Sequence, residues 1–201
     1  MIYVIIGLLI VAGSFLLFNK MVWKNHSDKP QSPETGQVKR TKVQVNKYNE
    51  IRSMAFTVTP DKLKLTLRKD KTLVYGTIMD LDLDSVTATV VSFQTGDASL
   101  YLSSGQMFIG GFAHETVRKS ATDLVSNSQA YLTKAEKTSS TALSDKGCVK
   151  FYFLTNHGTF VHQETIANIT KPENDWNKLF DKGQNVISEY RLITGDRLRE
   201  E

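Results

Sequence analysis

The sequence predicts an α+β domain, an antiparallel sheet of about five strands with helices packed on it, plus one N-terminal helix that crosses a membrane. Three observations carry that expectation: an uncharged apolar run at residues 2–18, alternating β-branched segments from residue 73 onward, and two apolar stripes at helical spacing further along. With 201 residues, 40% of them hydrophobic, the chain keeps enough apolar material for one ordinary domain after an anchor and a linker are set aside.

The run IYVIIGLLIVAGSFLLF at 2–18 holds no charged residue. At the helical rise it spans about 25 Å, against a hydrocarbon core of about 30 Å. Trp23 then falls at head-group level, so residues 1–23 are expected to form a transmembrane anchor. No Lys or Arg precedes the run, and it continues past Val11-Ala12-Gly13-Ser14, which argues against a cleaved signal peptide. Lys20, Lys24, Lys29, Lys39, Arg40, Lys42 and Lys47 crowd the segment after it. The positive-inside rule therefore predicts a single-pass protein of the inner (cytoplasmic) membrane, N-terminus outside and C-terminal domain in the cytoplasm. Residues 24–42, with Pro30, Pro33 and Gly36 among polar side chains, read as a flexible basic linker. The first expected partner is thus the lipid bilayer, through residues 2–18 and through anionic head groups facing the linker. The net charge of +4 is concentrated in that linker rather than on a folded face, and no nucleic-acid partner is expected.

Residues 43–195 are expected to form the α+β domain. Tyr48, Ile51, Met54 and Ala55 recur at three and four, predicting a helix over 43–55, and Thr59-Pro60-Asp61 reads as the start of a further helical turn. Segments 73–83 and 86–93 are β-branched and alternating, joined at Asp84-Ser85. Thr95-Gly96-Asp97 makes the next turn, after which 98–102 and 107–109 flank the Ser103-Ser104-Gly105 bend. Gly110-Gly111 breaks the pattern before a helix over 113–135, whose stripe is Val117, Ala121, Leu124, Val125, Ser128, Tyr131 and Leu132. A polar loop follows at 137–146, then strands at 149–154 and 159–163 about Asn156-His157-Gly158. The closing helix begins near 174 and buries Trp176, Leu179, Phe180, Gly183, Ile187 and Tyr190, leaving 196–201 as a polar tail. The order α-β-β-β-α-β-β-α is loosely profilin-like or roadblock-like, a likeness of fold that says nothing of function.

The motifs Gly76-x-x-Met79-Asp80, Gly96-x-x-Ser99-Leu100-Tyr101, Ser103-Ser104-Gly105 and Ile109-Gly110 followed by His114 resemble those of a family of small bacterial proteins with no established function. The segments VKFYFLTNHGTF and LFDKGQNVISEYRLI are similar to that family's second hairpin and closing helix. Gln106 and Met107 depart from its glycine run. The resemblance implies a fold and no activity.

Chemistry-bearing residues are sparse. Cys148 is the single cysteine and reads as a small buried hydrophobe in a strand. Asp80, Asp82 and Asp84 share one face of a strand, expected to be solvated or to meet a basic partner; the calcium reading lacks the glycine and distant glutamate of an EF-hand loop. His157 and His162 have neither cysteine nor HExxH spacing beside them, so no metal site is expected, and neither a cofactor nor a catalytic set emerges. The one candidate ligand site is the glycine-bearing bend leading into a helix N-terminus, with Ser104, Gly105, Gly110, His114 and Arg118 as binding residues for an anion. The functional expectation is a membrane-anchored, non-enzymatic adaptor or accessory protein whose cytoplasmic domain binds another protein through its sheet face or an edge strand. The alternatives are a small-ligand-binding or weakly hydrolytic domain using the Ser104 to His114 region, and an immunity-type inhibitor at the membrane.

Overall fold

The computed structural model describes residues 47–200, with side chains through 195, all within a compact unit that runs over Lys39–Glu201. The first element is helix α1 over residues 47–55. Seven strands follow, interleaved with three further helices: β1 (Val74–Asp82), β2 (Thr87–Phe93), β3 (Ala98–Leu102), β4 (Met107–Ile109), α2 (Glu115–Ser128), β5 (Glu136–Thr138), β6 (Cys148–Thr155), β7 (Gly158–Thr165), α3 (Ile166–Ile169) and α4 (Asn177–Glu200). The strands form one sheet in the order β4-β3-β2-β1-β6-β7-β5, every neighbouring pair antiparallel.

The fold class is therefore corrected in two respects. Among the described residues the sheet has seven strands rather than about five, and no helix there is long and apolar enough to cross a membrane. The anchor expected over 1–23 and the linker over 24–42 lie outside the described residues. The extra strands have plain causes. Residues 98–109 fold into two strands because Gly105, at φ 104, closes a three-residue loop on the bond from Leu102 N–H to the Gln106 carbonyl. Residues 136–138 read Glu-Lys-Thr, too short and too polar to show alternation, and become β5 only by pairing with β7.

Hairpin chemistry is local. At Thr95-Gly96-Asp97 the Phe93 N–H reaches the Asp97 carbonyl, with Gly96 at φ 87, the same loop design as at Gly105. Helix α2 buries Val117, Ala121, Leu124, Val125 and Ser128, the expected stripe, but its last stretch tightens into a 3-10 helix over Gln129–Lys134. The segment expected as a tail belongs to α4, which runs to Glu200.

Strands β1, β2 and β6 are buried along almost their whole length, because both faces of the sheet centre are covered. On one face α2 and α4 supply the cover. Thr77 bonds Ser128 at 2.8 Å, and Gly183 lets α4 approach so closely that a Cβ there would collide with Met79. Trp176 sits on Phe151 and Phe153, with Tyr131 and His162 against it. On the other face Tyr48 and Ala55 of α1 pack on Tyr75, Ile78, Val91, Phe93, Tyr101, Tyr152 and Leu154, and Val58, Leu63, Leu65 and Leu67 extend the cover. Docking on a sheet face, one of the two modes expected from sequence, finds the sheet centre occupied.

Candidate functional site

The three aspartates expected on one open strand face separate into three environments. Asp80 is fully buried beneath α1, where it accepts Arg52 Nε at 3.0 Å, a second bond from the Arg52 guanidinium, and the Thr89 hydroxyl at 2.6 Å. Since Thr89 spends its one proton on Asp80, Tyr48 is the donor in the 2.7 Å bond between their hydroxyls. Arg52 also donates to the Thr141 carbonyl at 2.6 Å, while the Tyr152 hydroxyl donates to the Ala142 carbonyl. Burial pushes the Tyr48 phenol up to about 12, so it stays a donor at any ordinary pH. The expectation of a solvated face fails here because α1 covers it. Asp82 accepts the Gly147 N–H at 2.7 Å, and Asp84, exposed in the β1–β2 turn, pairs with Lys146 at 3.1 Å. Among the described residues no group of three His, Cys, Asp or Glu side chains is placed to hold a metal ion.

The candidate binding residues divide between the two ends of β4. Ser104 and Gly105 form the β3–β4 turn, while Gly110, at φ 84, ends the strand and sends the chain into the 3-10 turn Gly111–Ala113. Between them lie four residues, Gln106 and the three of β4, about 13 Å of extended chain. His114, half-buried, precedes α2, and its carbonyl accepts the Arg118 N–H at 2.9 Å. Arg118 lines an open groove of about 520 Å³ with Thr95, Lys119, Thr122, Asp123 and Ser126, and the other four candidates do not contribute to it. Cys148 is buried at the start of β6, with burial pushing its thiol up, and His157 sits exposed, 3.0 Å from the Thr72 hydroxyl. No family model matches the chain, and neither a curated protein nor a solved structure does. The family resemblance of the hairpin motifs thus rests on those residues alone.

What the structure assembles and the sequence reading missed is the edge itself. β4 reads Met107-Phe108-Ile109, and the whole stretch from Ser103 to His114 carries neither Asp, Glu, Lys nor Arg. Phe108 lies opposite Leu100, two positions beyond the bonded Leu102–Gln106 pair, so its backbone groups turn inward to β3. Those of Met107 and Ile109 turn outward. Ile109 is 67% exposed and Phe112 47%. The Phe108 ring lies on the opposite face, 6.2 Å from that of Tyr190. The charge-free run across a glycine pair was the available sequence signal.

The opposite edge is built otherwise. β5 exposes Glu136 and Lys137, charged side chains of the kind that blunt a free edge against further pairing.

Proposed function

We propose that the folded unit is a protein-docking module that takes an extended segment of a partner onto β4 by strand addition. The observation that carries this reading is an uncharged sheet edge with an isoleucine 67% exposed, where edges are ordinarily guarded by charge. The outward backbone groups of Met107 and Ile109 offer main-chain hydrogen bonds, and Ile109 and Phe112 offer apolar area beside them. This keeps the adaptor expectation in the form of an edge strand, the sheet centre being covered. The test is affinity purification of the full chain from its native source, in parallel with Ile109→Lys and Lys137→Ala. A partner retained by Lys137→Ala and lost with Ile109→Lys supports the reading, whereas a partner indifferent to Ile109→Lys overturns it.

A further inference from the structure

Among the described residues Arg118 is held in place without forming an ion pair. Its Cγ lies against Gly96 so closely that a methyl group there would collide with it, and Gly96 stands at φ 87, a conformation that favours glycine. Its guanidinium lies over the Phe112 ring, 5.3 Å from the centroid. Arg52 and Arg68 are each bonded to a carboxylate. Arg118 has no carboxylate within ion-pair distance among the described residues. The acidic residues of its own helix form their ion pairs with lysines, Glu115 with Lys119 at 2.8 Å and Asp123 with Lys182 at 2.7 Å, and Arg118 reaches Glu115 only as a more distant charge. A long side chain seated by a notch and a ring has already lost part of the rotamer freedom that an ion pair otherwise costs.

The position of this cation is informative. Phe112 follows Gly110 by two residues, so the guanidinium lies toward the Gly110 end of β4, with Met107, Phe108 and Ile109 leading away from it. A strand laid on β4 meets apolar side chains on both faces along its length and meets a positive charge at one end.

Resting on the docking function proposed above, we infer that the docked segment is a continuous apolar strand bearing a carboxylate, an Asp or Glu side chain, where it passes Gly110, and that Arg118 receives this group. The charge pattern selects such a segment over a second copy of this chain. Residues 103–114 contain no acidic side chain, so β4 paired with β4 leaves both Arg118 groups unmatched at the strand.

The experiment is selection of a displayed library of random dodecapeptides on the immobilised full chain, repeated with Arg118→Gln, Arg118→Glu and Ile109→Lys. Arg118→Gln retains the Cγ against Gly96 and removes the charge; thermal melts verify that each variant folds. The expected outcome is enrichment of uncharged apolar runs ending in Asp or Glu, about tenfold weaker binding when that acid is changed to its amide, and no such loss in Arg118→Gln. Arg118→Glu should turn the preference toward Lys or Arg. Peptides that need Ile109 yet show no acid preference overturn the carboxylate while leaving the docking edge in place. Peptides indifferent to Ile109→Lys, or no enrichment, overturn both. Sedimentation showing self-association that Ile109→Lys abolishes assigns the edge to a second copy and also overturns the inference.

Discussion

The centre of the sheet and its β4 edge invert the ordinary distribution of polarity. At the centre a carboxylate and a guanidinium lie buried under α1, 0% and 6% exposed at the side chain, while at the edge an isoleucine is 67% exposed. The difference lies in where each group finds its partner. Asp80 takes bonds from Arg52 and Thr89 inside the fold, Arg52 passes a further one to the Thr141 carbonyl, and the network closes on itself. Among the described residues Ile109 is left mostly in solvent, and Phe112, which carries the Arg118 guanidinium on its ring, is still half exposed. A buried charge with its bonds satisfied is structural, whereas the exposed apolar group on the β4 edge is the feature on which the docking proposal rests.

The strongest test of that contrast is at the centre. Arg52→Met leaves Asp80 buried and unpaired, and is expected to cost about 3–5 kcal/mol of unfolding free energy in a urea titration. The double variant Arg52→Met with Asp80→Leu should recover most of the loss, since removing both charges leaves nothing uncompensated. A double variant as unstable as the single one would show that something other than the ion pair sets the cost.

Gly96→Ala, between centre and edge, forces a side chain into the left-handed region at a cost of about 1–2 kcal/mol and pushes against Arg118. It should lower the melting temperature and weaken acid-dependent docking together. Loss of one without the other would separate the notch from the arginine.

His162 gives a pH-dependent comparison. It stacks on Trp176 with ring centroids 3.6 Å apart, and its Nε2 is buried with no hydrogen-bond partner among the described residues. Burial lowers its pKa below the ordinary 6.5, against the opposing pull of Glu164 and Glu136. A depressed histidine favours the neutral folded form, so its contribution is fully present above 6.5 and is lost as the pH falls through the lower folded value. The melting temperature should therefore drop between pH 7.5 and 5 by more in the native chain than in His162→Gln. Parallel pH profiles would refute the assignment.

Ile109→Lys should change stability least, within about 0.5 kcal/mol, because its side chain is mostly in solvent. Docking should nevertheless be lost, and that pairing of a silent melt with an abolished interaction is the sharpest form of the contrast. A melt shifted by several degrees would instead make Ile109 part of the core.

Much of the fold was legible because its determinants are short in range. Gly96 and Gly105 mark two three-residue hairpin loops, and Val117, Ala121, Leu124 and Val125 repeat at helical spacing within one segment. The site was legible only in part. Arg118 is one of five residues the sequence offers for an anion and the one of them that lines a groove, while the alternation of Asp80, Asp82 and Asp84 with leucines suggests open water where α1 lies. The exposed apolar edge drew no attention because Met107-Phe108-Ile109 is indistinguishable, read locally, from any strand bound for a core.

By itself, then, the sequence determined the hairpins, the amphipathic helices and the absence of charge along residues 103–113. Tertiary structure alone decided that Arg52 meets Asp80 from 28 positions away, that Glu136 to Thr138 becomes a strand, and that β4 ends the sheet. The physical reason is that periodicity reports only which side chains share a face. Whether that face is covered, and which strand is left without a neighbour, depends on contacts between segments distant along the chain.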